Sequence, residues 1–258
     1  MAKVTSFQAH SFYWQQSKAV KVSIEAILSR YADGERSFEA VSLREADLHN
    51  AHLHGVNFNQ ADLRQARLGK TNFSRGSFRK ADLSEAILWG ADLSEANLSE
   101  AVLREADLSG ARMSNANLTR SNLSKAILGG ATLVHARLFS ANLFEVDLRP
   151  TSRQTTDFSY AILSDADLCY ANLSGALLHQ ATLDGAKLCR AHLNRTLQQG
   201  MRSTDLSAAS LRGADLSYAN LAGAILCKAN LKNADLTGTN LTDADLREAI
   251  MPDGSVHE

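Results

Sequence analysis

Residues 81–108 read ADLSE AILWG ADLSE ANLSE AVLRE ADL. Leu recurs at every fifth place, and Ala stands two residues before each Leu. The same five-residue word runs from about Phe38 to Met251. A period of five suits neither regular element. On an α-helix, at roughly 100° per residue, such Leu would wind around all sides. On a strand they would alternate between faces. The Leu can all be buried if the chain turns a corner after each word and the coil closes on itself. That is a solenoid, in which each coil touches its neighbours.

The inward Phe residues set the number of words per coil. Phe38, Phe58, Phe78 and Phe158 are separated by multiples of twenty, and Phe73 stands outside that column. Four words per coil give a four-sided tube of roughly ten coils, rising about 4.8 Å each. Leu, Phe and Met fill the tube. Ala lines its tight inner wall. Asp, Asn, Ser and Thr before Leu bond nearby backbone at the corners. The two residues after Leu point outward and are free to vary.

The A(D/N)Lxx word resembles that of the pentapeptide repeat family. The resemblance implies an all-β fold, a right-handed quadrilateral β-helix. Within that family, GGATLVHARL, DLRPTSRQTTDF, LDGAKLCRAHLNRT, ADLSYANL and the tail AIMPDGSVHE are similar to members acting in heterocyst differentiation in cyanobacteria. The arm before Val22 departs from them. That resemblance implies a protein partner, the transcription factor HetR, whose inhibitory peptide the chain would counter. Arg75-Gly76-Ser77-Phe78-Arg79 looks like that peptide, but Phe78 is an inward residue, so the segment is expected in the wall.

The ends and interruptions follow from the same reading. Residues 1–21 form an arm with Phe7, Phe12, Tyr13 and Trp14, expected to rest on the first coil or else to serve as an interaction arm. Residues 22–34 form a helical cap. Ser23 caps it, Ile24, Ile27, Leu28 and Tyr31 share one face, and Gly34 ends it. Such a cap covers unpaired strand edges and bare Leu. The β-helix occupies residues 35–251. It is irregular at 149–155, where Arg153 replaces an inward Leu and the phase resumes unshifted at Phe158. It is irregular again at 194–203, where Leu193 and Leu206 lie thirteen apart. Pro252, Asp253 and Gly254 stop the coil. The tail 252–258 is short, so the C-terminal end stays open or meets a second copy: a monomer, or a dimer through that end.

A net charge of −1 gives no bulk attraction to nucleic acid or anionic lipid. It also weighs against the main alternative the resemblance offers, a DNA mimic inhibiting DNA gyrase or topoisomerase, which needs a strongly acidic surface. A structural scaffold is the other alternative. No apolar run reaches about 18 residues, so no membrane span is expected. No signal peptide is evident, which points to the cytoplasm. Cys169 and Cys189 stack on one face of adjacent coils; a disulfide is conceivable, but parallel side chains at strand spacing form one poorly, and reduced thiols are expected. His49, His52 and His54 fall on different sides of a corner and suit a solvated surface better than a metal site. Gly69-Lys70-Thr71 lacks the first Gly of a phosphate loop. With the interior filled by Leu, neither catalysis nor a cofactor is expected.

Activity then belongs on the outer walls. One outward column runs Glu45, Gln65, Glu85, Glu105, Lys125, Glu145, Asp165, beside Arg44, Arg64, Ser84 and Arg104. Exposed aromatics stand out more. Phe139 and Phe144 follow core Leu on adjacent walls of one coil, where they either meet a partner or pack under the irregular loop, and Trp89 is a third outward ring. Aromatics and Arg are usual anchors of protein interfaces. The candidate protein-binding set is Phe139, Phe144, Arg149, Pro150, Arg153, Gln154 and Trp89.

Overall fold

A computed structural model describes residues 20–21, 23–151, 154–196 and 202–258. The five-residue word makes one wall of a square coil, and four words close it. Parallel bridges join residues twenty apart, Ser37 to Asn57, Ser42 to Asp62, Asp47 to Arg67 and His52 to Asn72. We call these the first to fourth walls, with inward residues Phe38, Leu43, Leu48 and Leu53, all buried. Each corner carries the number of the wall it follows.

Each corner is a tight turn. The Ala N–H donates to the carbonyl of the preceding Leu, as Ala46 does to Leu43 at 3.0 Å. The second residue after Leu takes positive φ, for example Glu45 at 60° and Gln65 at 59°. That is the third turn position, which type II turns place there. So the second outward residue, expected to vary freely, is constrained: it must tolerate the left-handed region. The Asp or Asn before Leu accepts the N–H two residues on, as Asp82 does from Ser84 at 3.0 Å.

Inside, buried Leu and Ala form one continuous cluster along the tube. Phe73 and Phe78 meet edge-on with centroids 5.1 Å apart. Gly76 replaces Ala between them, because a Cβ there would lie 2.8 Å from the Phe73 carbonyl and 2.9 Å from the Phe78 ring. The Arg75–Arg79 stretch is therefore wall, as expected.

The N-terminal end is covered. The strand β1 (Val20–Lys21) pairs in parallel with β2 (Val41–Ser42). The helix α1 (Ile24–Ala32) follows, with Ser23 Oγ accepting the Ala26 N–H at 3.2 Å. It ends in a Schellman arrangement, Glu35 N–H to Arg30 O and Gly34 N–H to Tyr31 O, with Gly34 at φ +97°. Ile27 is fully buried, while Ile24 and Tyr31 are half-buried against the core. Leu28, expected inside, is 39% exposed, because it lies on the flank of that stripe. Residues 1–19, including the aromatic arm, lie outside the described residues.

The C-terminal end is only partly covered. After the turn at Pro252–Gly254, Val256 returns antiparallel to Ile250 on the first wall. Leu236, Leu241 and Leu246 in the last coil stay half-buried.

Both interruptions are insertions at one place, the third corner. Thr132 bridges to Asp157, twenty-five residues on, instead of twenty. The first loop thus adds one whole word. The five-residue phase survives, but the coil register moves by one wall. Phe158 therefore stacks on Leu133 in the column of Phe73, not in that of Phe38, Phe58 and Phe78. Leu177 bridges to Asp205, twenty-eight on, so the second loop adds eight residues. Thr196 and Arg202 pair antiparallel across its base.

The two loops use the same repair. A regular corner N–H donates to the next coil, as Gly110 does to Gly129 O. The insertions remove that acceptor from Gly130 and Gly175. Buried Thr156 Oγ1 accepts from Gly130 at 2.8 Å, and buried Thr204 Oγ1 from Gly175 at 2.9 Å. Both Thr stand in the inner Ala position, two residues before a core residue.

Candidate interaction surface

The loops lie along one edge of the prism. Gly129 faces the Arg149 carbonyl, where a Cβ would come within 2.8 Å, and a Cβ on Gly130 would lie 3.0–3.2 Å from Thr151 and Gln154. A Cβ added to Gly175, between the loops, would lie 2.8 Å from Thr196 Cγ2 and 3.3 Å from Pro150 Cγ. The first loop is held by Thr151, whose N–H donates to Gln154 O at 2.8 Å and whose Oγ1 accepts the Gln154 N–H at 3.0 Å. Arg202 donates to Thr155 Oγ1, tying the second loop to the first. Arg149 grips Asp147 through Nε and Nη2, at 2.9 and 2.7 Å. Burial pushes the Asp147 carboxyl up, but the Arg149 hydrogen bonds outweigh it and hold the pKa below the usual range.

Trp89 belongs to the same edge. Its ring lies over Gly69 toward His49, with centroids 5.6 Å apart, and Lys70 Nζ sits 4.7 Å from the ring centre. A Cβ on Gly69 would come within 2.8 Å of the indole nitrogen. His49, Arg67, Gly69, Ile87 and Trp89 line a shallow dent there. Trp89 therefore lies down on the wall, 38% exposed.

Not all the predicted residues come together. Phe139 is on the first corner, Phe144 on the second, and Arg149, Pro150, Gln154 and Trp89 on the third. The first and third corners are diagonal in a square, so Phe139 cannot share a flat face with the loops. Phe144 can, across the third wall. Arg153 lies outside the described residues.

The second corner holds features the sequence reading missed. The inserted word moves Tyr170, not Asp165, into the column after Glu145. The true column is Glu45, Gln65, Glu85, Glu105, Lys125, Glu145, Tyr170, Arg190, Tyr218. In its first half opposite charges pair, Arg104 with Glu85 at 3.4 Å and Lys125 with Glu145 at 3.6 Å, contacts worth little at such exposure. In its second half, Phe144 meets Tyr170 edge-on at 5.6 Å, and Arg190 stacks 5.2 Å from the Tyr218 ring. Tyr170 and Tyr218 are 49% and 59% exposed. The expectation of reduced thiols is overturned here. Cys169 and Cys189 form a disulfide with Cα atoms 4.7 Å apart. Stacking identical turn positions brings the Cα atoms inside the bonding range of about 4.4–6.8 Å.

The three histidines separate as expected: His49 on the third corner, His52 on the fourth wall, and His54 on the fourth corner with Ser74 Oγ at 2.9 Å. Among the described residues no helix is long and apolar enough to cross a membrane.

A square coil of A(D/N)Lxx words defines the class: the chain belongs to the pentapeptide repeat family. The family's repeats match at residues 42–79, 77–115, 116–149, 156–196, 204–243 and 214–253, and the gaps fall at the two loops. The chain is similar to HetL, a pentapeptide repeat protein involved in heterocyst differentiation regulation in the cyanobacterium Nostoc sp. strain PCC 7120. The two share 58% identity over 92% of this chain and 100% of HetL, with a TM-score of 0.91. A pentapeptide repeat protein of the Arabidopsis thaliana thylakoid lumen matches 37% of this chain and 66% of its own length at 34% identity, TM-score 0.36. QnrB1, a plasmid-mediated fluoroquinolone resistance protein, matches 83% of this chain and 91% of its own at 18% identity, TM-score 0.41. No curated protein sequence matches significantly.

Proposed function

We propose that this chain is a non-catalytic protein-interaction module that regulates heterocyst differentiation in the cytoplasm by contact alone. HetR is the expected partner, and binding would counter its inhibitory peptide. The observation behind this reading is the third corner. The core is repetitive and filled, while two loops and Trp89 gather on one edge beside Phe144. Such an edge is aromatic and Arg-bearing, the make-up of interface anchors. Similarity to HetL along the whole of that protein supports the regulatory role.

A partner seated on the third wall touches Phe144, Arg149, Pro150 and Gln154, and leaves Phe139 free. Replacing Phe144 and Arg149 together by Ala should weaken HetR binding at least about tenfold in calorimetry, as loss of interface anchors does. Phe139→Ala should bind as wild type. Undiminished affinity in the double variant refutes this site; absence of any HetR binding by the wild-type chain refutes the partner. The open last coil allows a monomer or an end-to-end pair, which light scattering distinguishes.

A further inference from the structure

The geometry points to Cys169 and Cys189 as a reversible dithiol–disulfide exchange site, with a small or protein-borne dithiol as its co-reactant, that clamps the coil seating both loops. The backbone, not the bridge, sets the spacing of the two residues. Glu145 N–H donates to Cys169 O at 3.1 Å, Tyr170 N–H to Cys189 O at 3.0 Å, and Leu168 N–H to Lys187 O at 2.7 Å. With these ladder bonds intact, the reduced sulfurs stay within reach of each other, so the bond opens and recloses without backbone rearrangement. Access differs between the two. Cys169 is 8% exposed, whereas Cys189 is half-buried at the outer corner.

The step follows from that difference. A thiolate of the dithiol attacks Cys189 Sγ and forms a mixed disulfide. Cys169 leaves as thiolate and takes a proton from water. The second thiolate of the reductant then attacks its own bonded sulfur and forms the reductant's disulfide. Cys189 leaves as thiolate and is protonated in turn. Two electrons pass from the dithiol to the pair.

The consequence is mechanical. The bridge closes the single coil between residues 169 and 189, and that coil contains Gly175, the seat of Pro150, Thr196 and Arg202. It also fixes the turn presenting Tyr170 to Phe144. Oxidation restricts the unfolded coil and suppresses its fraying; reduction releases it. The third cysteine, Cys227, is free and half-buried on the fourth corner, and serves as an internal count.

The test uses the full folded chain equilibrated in reduced and oxidised dithiothreitol, quenched in acid and only then denatured, with thiols counted by maleimide gel shift. One label is expected in the oxidised state and three in the reduced state, matching three cysteines in the sequence. Reduction should lower the thermal midpoint by about 5–10 °C and speed amide exchange in residues 170–188. Cys189→Ser should match the reduced wild type and ignore dithiothreitol. It should fold, because Ser84, Ser124 and Ser217 occupy the same column. Three labels in oxidising buffer, a pair that opens only after denaturation, or equal midpoints for both states would each overturn the assignment.

Discussion

Replacing Gly130 by Ala should unseat the first loop while leaving the tube intact. Gly130 has φ +72°, and an added Cβ would lie 3.0 Å from Thr151 Oγ1, 3.1 Å from Gln154 Cβ and 3.2 Å from Thr151 Cγ2. Gly90 is the internal control. It occupies the same corner two coils earlier, with φ +64°, and the nearest atom, Lys70 Cγ, is 3.5 Å away. Both substitutions carry the left-handed penalty, about 1 kcal/mol, together with the same change in unfolded-chain freedom. The tube tolerates this conformation elsewhere without glycine, as at Ala208 with φ 54°. Only Gly130→Ala adds a steric conflict with the loop, about 1–3 kcal/mol by analogy with overpacked sites. Urea unfolding should place Gly130→Ala about 2–4 kcal/mol below wild type and Gly90→Ala about 1 kcal/mol below. Amide exchange should accelerate over residues 149–156 in Gly130→Ala alone. Equal destabilisation of the two variants, with unchanged exchange in that segment, would show that the loop does not rest on the glycine.

Three more perturbations probe the rest of the molecule. Thr156→Val leaves the buried Gly130 N–H without its acceptor and should destabilise by about 1–3 kcal/mol in the same urea titration. Ile27→Ala removes the one fully buried side chain of α1; it should cost about 2–4 kcal/mol and expose the first coil, seen as concentration-dependent light scattering. Acid should destabilise the protein in a defined window. Hydrogen bonds from Arg64 and Arg247 depress Asp62 and Asp245, the latter to about 2, and Asp147 is depressed beside Arg149. Folded values below the unfolded ones mean that this stabilisation is complete above roughly pH 4, the ordinary carboxylate range. It is lost as pH falls through the folded values, so the thermal midpoint should hold level above about pH 4 and drop between there and pH 2.

The sequence alone determined the coil. Leu at every fifth residue with Ala two before it can be hidden from water only if the chain turns at every word, and this requirement is local and repeats at each step. The cap was legible for the same reason, since Ser23 and Gly34 act on their own helix. Tertiary structure alone decided what lies beside what after Leu148. A period of five shows the break at 149–155 but not that it adds a whole word, which moves Phe158 to the column of Phe73 and Tyr170 to that of Glu145. The bridged cysteines, the aromatic row and the separation of Phe139 from the loops are relations between coils. Such relations depend on how many residues each turn of the prism consumes, a quantity fixed by cross-coil hydrogen bonding and absent from any single word.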